Sequence, residues 1–208
     1  MNPILNLAAL ILRFGRVDRA TRHPDGERPE TDTDHTVMLA ILALEIVNAW
    51  ESAGAVLGLD RGRLAMLALV HDLPEAEAGD TNTMGGLTTE AKAAKAVREA
   101  EALGRIRALL GPSSWTVAAI ETYERLDTPE ARFLCYLDKV TPKLTQAMNG
   151  GIQAWRAGHD VAWLRERHRI QGLELRARFP EWAHVLGGLF DVACETAERA
   201  MEAAQVVQ

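Results

Sequence analysis

The chain has 208 residues, with 23 Lys and Arg against 29 Asp and Glu, a formal net charge of −6 at neutral pH. That length argues for one domain able to bury a full core without disulfides, and 48% hydrophobic with 25% charged residues is a globular composition, not a disordered one. The acidic balance, without a basic block, speaks against a nucleic-acid polymer or anionic lipid as partner, and the longest apolar runs (residues 4–12 and 37–44) are too short for a membrane span.

The first apolar run lacks a basic leader and is followed by arginines, so no signal peptide is expected. From Asp34, read as an N-cap, a helix runs to about residue 50 with Val37, Ala40, Ile41, Leu44 and Val47 on one face. A second starts after Asp60 and turns Leu64, Leu67 and Ala68 inward as far as His71. Pro74 then interferes, because its ring clashes with the carbonyl of Val70 and its nitrogen cannot donate. Residues 81–87, with Gly85 and Gly86, read as a loop. A helix from Thr88 or Thr89 to Leu110 stops at Gly111 and Pro112. Ser113 or Ser114 opens the next, to Leu126, and Thr128 with Pro129 opens one that passes Asp138 and meets Pro142. Two amphipathic helices, about 160–179 and 180–204, fill the tail. Cys135 and Cys194 sit far apart in apolar helical stretches, which predicts a reduced, cytoplasmic protein. Strand-type alternation is missing, and no repeat or linker divides the chain. The expectation is all-α: one domain over residues 1–208, a helical bundle with its core at about 10–144 and a helical C-terminal extension at 155–204.

Four polar residues fall on or beside the apolar faces, where an unpaired charge is costly. His35 has Met38 and Leu39 three and four residues on, and His71 takes the next inward position after Leu64, Leu67 and Ala68, with Asp72 behind it. Asp138 has Leu134, Cys135 and Thr141 at helical spacing. A single such histidine is ordinarily a core residue bonded to a backbone carbonyl, and a His-Asp dipeptide alone is a weak motif. Together, two imidazoles and two carboxylates from three helices would make a mixed nitrogen and oxygen site suited to a divalent first-row metal. The cation is then the partner that buried carboxylates require.

The order His35, His71-Asp72, Asp138 resembles the signature of the HD-domain metal-dependent phosphohydrolases. Glu-Thr-Asp-Thr-Asp-His at 30–35, His-Asp-Leu-Pro-Glu-Ala-Glu-Ala-Gly-Asp at 71–80 and Leu-Asp-Lys-Val-Thr-Pro at 137–142 resemble one branch of them. That branch holds small single-domain 5′-deoxynucleotidases and related nucleotide triphosphohydrolases. The resemblance spans about residues 10–144 and implies a single HD domain whose His35, His71, Asp72 and Asp138 hold one divalent ion: Mn, Co, Zn or Mg. Such ligands favour a transition metal. It assigns Glu75 a general acid and base role. Physically, Glu75 follows His71 by four residues, so it would share a helix face, although alone it reads as a surface acid in a run with Glu77 and Asp80. Asp80 resembles the family's second acid, orienting water or binding the sugar.

No histidine lies between Leu73 and Leu137, so the imidazoles that a second metal takes in two-metal relatives are missing, and the site reads as mononuclear. Ala76 stands where alarmone hydrolases carry an acid. Five arginines (Arg13, Arg16, Arg19, Arg22 and Arg28) face three acids in residues 12–28 of this acidic chain. A guanidinium fork suits phosphoryl oxygens, and Arg16 and Arg19 align with residues that the family sets against phosphate. Read alone, each is a solvated residue at a helix end. Lys139 and Lys143 are either a second phosphate contact or surface residues. The tryptophan that deoxynucleotidases of this branch carry after the arginine is missing from Arg-Ala-Thr-Arg-His-Pro-Asp-Gly at 19–26, which leaves sugar selectivity open.

The leading reading is a metal-dependent phosphohydrolase that removes phosphate from nucleoside monophosphates. The alternatives are a nucleoside triphosphate hydrolase, a di-iron HD oxygenase and a non-catalytic nucleotide-binding module. The resemblance also implies a homodimer or larger homo-oligomer. Trp155, Trp163, Trp182, Leu186, Leu189 and Phe190 would either supply its interface or cover the core.

Overall fold

Ten α-helices, one 3-10 turn and one β-hairpin account for the regular structure among residues 2–206, the part that the computed structural model describes. The all-α expectation holds, and the hairpin is the exception. After α1 (Pro3–Phe14), strands β1 (Asp18–Arg22) and β2 (Pro29–Thr31) pair across the stretch that the sequence reading took for a helix end and a loop. Five and three residues, mostly polar, are too few for alternation to show. Backbone bonds fix the pairing instead: the Asp32 amide donates to the Val17 carbonyl at 3.1 Å and the His23 amide to the Arg28 carbonyl at 3.0 Å. Gly26, at φ +72°, makes the turn, a conformation that a Cβ would strain.

Helix α2 (Asp32–Ser52) begins two residues before the expected start. Thr31, not Asp34, is the N-cap. Its hydroxyl accepts the Asp34 amide at 3.2 Å while the Asp34 carboxylate accepts the Thr31 amide at 3.0 Å, a reciprocal capping box. Asp60 caps α3 (Arg61–Val70) as expected, accepting the Arg63 amide at 2.8 Å. Residues 71–74 then turn, and α4 (Glu75–Ala78) follows. Pro74 interrupts the helix for the reason anticipated, so Glu75 opens its own short helix and is not on the helix that ends at His71. Helices α5 (Thr89–Leu110) and α6 (Trp115–Arg125) are capped by Thr88 and Ser114. Helix α7 (Pro129–Asn149) continues through Pro142, and a short α8 (Ile152–Arg156), unforeseen in the sequence, follows two left-handed glycines. Asp160 caps α9 (Val161–Arg178), and a 3-10 turn at Pro180–Trp182 leads into α10 (Ala183–Val206).

Two compact units emerge: the chain up to Arg19 with Thr31–Leu134, and Ala20–Glu30 with the chain from Cys135 on. In the first, α2 packs on α3, α3 on α6, and α1 on α4 and α5. Leu10, Phe14, Val70, Leu73, Ile106, Leu110, Val117 and Ile120 form its buried cluster. Val70 and Leu73 bracket the His71-Asp72 dipeptide, so the core holds that dipeptide from both sides. Truncating either anchor to Ala costs about 2–5 kcal/mol for a leucine and less for a valine.

In the second unit α9 packs on α10, closely enough that a Cβ at Gly172 would come within 3.1 Å of Phe190. Trp182, Leu186 and Phe190 are buried there, while Trp155 is exposed. Lys143 is buried too, which corrects the surface reading of this residue. Burial pushes its ammonium down to about 8, with Cys194 opposing and Arg167 and Lys139 adding to the shift. An unfolded lysine titrates near 10.5. Below pH 8 the folded state therefore bears the whole cost of this charge, and the cost fades as pH rises from 8 to 10.5. Lys143→Met is expected to stabilise the protein by up to about 3 kcal/mol at pH 7 and to lose most of that gain by pH 10. Urea melts at the two pH values check this, and an equal gain at both would show that the lysine bears no burial cost.

Candidate metal centre

His35 sits in the first turn of α2 with its ring fully buried, and His71 sits at the C-cap of α3, 3% exposed. Asp72 completes the group: each of the three offers a ligand atom within 4.8 Å of the others. The Oδ2 atom of Asp72 lies 3.0 Å from His71 Nε2 and 3.7 Å from His35 Nε2, and the two rings are 5.4 Å apart. Nδ1 of His71 is 2.8 Å from the Ala68 carbonyl. A carbonyl only accepts, so Nδ1 carries a proton, and in the neutral ring the Nε2 lone pair faces Asp72. A lone pair 3.0 Å from a carboxylate oxygen is acceptor against acceptor, a contact that a cation between them relieves. The donor set fits a divalent metal.

A second group overlaps the first. Asp32, Asp72 and Glu75 also offer oxygens within 4.8 Å of one another. Asp32, in the first turn of α2, is fully buried, and Glu75, at the start of α4, is buried as well. Arg19 Nη1, from β1, lies 3.0 Å from Asp32 Oδ1, 2.9 Å from Asp72 Oδ2 and 3.9 Å from Glu75 Oε2. Burial pushes Asp32 up to about 6, with Arg19 opposing and Asp72 adding to the shift. Burial, then Asp72, Asp32 and Asp80, push Glu75 up to about 10, against Arg19. A multivalent cation among these acids acts in the same sense as Arg19 and favours their charged forms.

The sequence-predicted residues fall in both units. His35, His71, Asp72, Glu75 and Arg19 come together in the first unit, with half-buried Asp80 close enough to act on Glu75. Arg16 is exposed and has no side-chain partner among the described residues. Asp138 belongs to the second unit, 5% exposed on α7, where Lys139 Nζ lies 2.7 Å from its Oδ2. Sequence reasoning missed Asp32, although its place three residues before His35 sets it on the same face of α2. It also missed Tyr123, whose ring stands edge-on to His71 at 5.5 Å.

The HD-domain family model matches residues 12–181. The chain belongs to the HD-domain family. It is similar to the protein called 5′-deoxynucleotidase HDDC2 in Homo sapiens, 32% identical over 140 residues, or 65% of this chain and 63% of that one. The Danio rerio protein of the same name is 29% identical over 143 residues, 67% of this chain and 66% of that one. The match therefore spans just under two thirds of each relative. A solved structure described as a predicted metal-dependent phosphohydrolase from Magnetospirillum magnetotacticum MS-1 superposes with a TM-score of 0.68 at 23% identity. It covers 95% of this chain and 96% of that one, a likeness of fold. Among the described residues no helix is long and apolar enough to cross a membrane.

A ligand that binds only the folded chain stabilises it by mass action. Mn²⁺ at one hundred times its Kd is expected to add about 2.7 kcal/mol to the stability of this HD domain. EDTA should remove that gain, and His35→Ala should abolish it. Calorimetric melts with and without Mn²⁺ check this, and identical curves would show that these residues hold no metal.

Proposed function

We propose that the protein is a metal-dependent phosphohydrolase that removes phosphate from nucleoside 5′-monophosphates, and that residues 1–208 act as a single HD domain. The observation that carries this reading is a buried carboxyl group, Glu75, beside the His35–His71–Asp72 cluster. The name shared by the two relatives supports the substrate class. Asp138 is proposed as the fourth ligand, on the resemblance of the order His35, His71-Asp72, Asp138 to the family's signature. Two nitrogens and two oxygens suit Mn, Co or Zn better than Mg. A divalent ion held there would supply Lewis acidity toward water and a phosphoryl oxygen.

The remaining work falls to the chain's own side chains. Glu75 takes a proton from the attacking water and returns it to the departing oxygen of the sugar, as the phosphorus–oxygen ester bond breaks. Arg16, which is exposed, binds the phosphate, joined by Arg19 and Lys139. Asp80 orients the water or the sugar. The protein is further proposed to act as a homodimer or larger assembly in the cytoplasm, in line with its family resemblance and with buried Cys135 and Cys194, neither of them in a disulfide. The five arginines of residues 12–28, without the tryptophan, favour a second reading in which the substrate is a nucleoside triphosphate.

A panel of nucleotides assayed with each metal separates the two by their products: inorganic phosphate from monophosphates, or tripolyphosphate from triphosphates. No turnover of any nucleotide by metal-loaded protein would sink both. Asp138→Ala is expected to lower metal content and rate together. Glu75→Gln should keep the metal and lose turnover by about 10²–10⁴-fold. Metal analysis alongside rates tells these apart, and full metal with full activity in Asp138→Ala would remove Asp138 from the site.

A further inference from the structure

Asp32, Asp72 and Glu75 are placed as the ligands of a second ion would be, yet a cation already sits among them. Arg19 Nη1 touches Asp32 and Asp72 at 3.0 and 2.9 Å and stands 3.9 Å from Glu75. Asp72 Oδ2 is shared by the two imidazoles, at 3.7 and 3.0 Å, and this guanidinium, at 2.9 Å, as a carboxylate oxygen is when it bridges two cations. We propose that the Arg19 guanidinium is a tethered substitute for a second divalent ion, that Asp32 seats it, and that the centre holds one metal for this reason. The inference rests on the metal-centre reading above and says why that centre stops at one ion.

Three further observations carry it. The Asp32 side chain is fully buried, so an ionised Asp32 needs a permanent partner. A guanidinium stays protonated throughout the working pH range and cannot dissociate from the chain, whereas a bound ion exchanges. The seat is also built by the backbone. The Asp32 amide donates to the Val17 carbonyl at 3.1 Å, tying the residue that receives the guanidinium to the start of the strand that delivers it. Asp32 is thus a positioning residue: it acts on the centre through Arg19. Arg19 in turn brings positive charge next to the first site, which a second metal does in two-metal hydrolases set about 3.5–4 Å apart.

The test counts metal in the full-length protein. Wild type dialysed against excess Mn²⁺ is expected to hold one ion per chain, with the electron paramagnetic resonance of an isolated Mn²⁺. Arg19→Met empties the seat and leaves three carboxylates facing one another, so it should hold two, with the spectrum of a coupled pair. Arg19→Met combined with Asp32→Asn removes a ligand and should return to one. Arg19→Gln keeps a hydrogen-bonding side chain of similar reach and repeats the measurement should the methionine variant fail to fold. Two ions in wild type, one in both Arg19 variants, or two in the double variant would each overturn the inference. No Mn²⁺ in wild type would overturn the metal-centre reading itself, and this inference with it. Because ions are counted and not turnovers, failure of the nucleotidase assignment shows separately.

Discussion

Burying carboxylates is the constraint on which the rest of this molecule turns. Asp32, Asp72 and Glu75 are drawn together at the ends of three helices, two of them with almost no access to water. An ionised carboxylate in such a place requires a cation or gives up its charge. Arg19 answers part of that demand directly. The imidazoles of His35 and His71, their Nε2 atoms 3.7 and 3.0 Å from Asp72 Oδ2, offer nitrogen ligands to a metal held among them. The local arrangement is unfavourable by itself and favourable around positive charge, as expected of a site shaped by its ligand.

The fold holds that arrangement in place with ordinary means. The capping box of Thr31 and Asp34 fixes the first turn of α2, and so the positions of Asp32 and His35. Val70 and Leu73 sink into the core on either side of His71 and Asp72, which cannot move without opening a cluster shared by α1, α5 and α6. Pro74 ends α3 and restarts the chain as α4, and the Glu75 amide is bonded at 2.8 Å to the Asp72 carbonyl. A straight helix through this region would also place Glu75 one turn from His71. The proline turn instead sets Glu75 beside Asp72 and Arg19, among the other acids.

The helices were legible because their signals are local. Asp60, Thr88, Ser114 and Asp160 each cap the helix that begins after them, and the side-chain bond that makes a cap spans only three residues. The hairpin was not legible, since β1 and β2 are short, polar and stabilised by backbone bonds that leave no trace in side-chain pattern. Lys143 was misplaced for a related reason. Its helix continues through Pro142, and what buries it depends on how α7 packs in its own unit, which periodicity does not encode. At the metal site, residue type and order singled out His35, His71, Asp72 and Glu75. The pairing of Arg19 with Asp32 was hidden, because it joins a strand to a helix across a turn that the sequence did not reveal.

The buried charges of the two units show one rule with opposite outcomes. In the second unit, burial drives Lys143 down to about 8 and His168 to about 3, so the interior there tends toward neutrality by releasing protons. Glu198 Oε1 lies 2.7 Å from His168 Nδ1 and Gln146 Oε1 3.2 Å from Nε2, and a neutral ring donates to one of these two oxygens. In the first unit burial pushes the acids upward, the same drive toward neutrality. There it meets an arginine that does not deprotonate: at Asp32 burial is opposed chiefly by Arg19 and the carboxyl stops at about 6, while at Glu75 burial is joined by Asp72, Asp32 and Asp80 and the carboxyl goes to about 10. The difference between two carboxyl groups a few ångströms apart is set first by burial and then by the acids around each, with Arg19 opposing at both. Burial beside a fixed cation, and burial among other acids, thus separate a carboxylate suited to holding charge from a carboxyl group suited to carrying a proton.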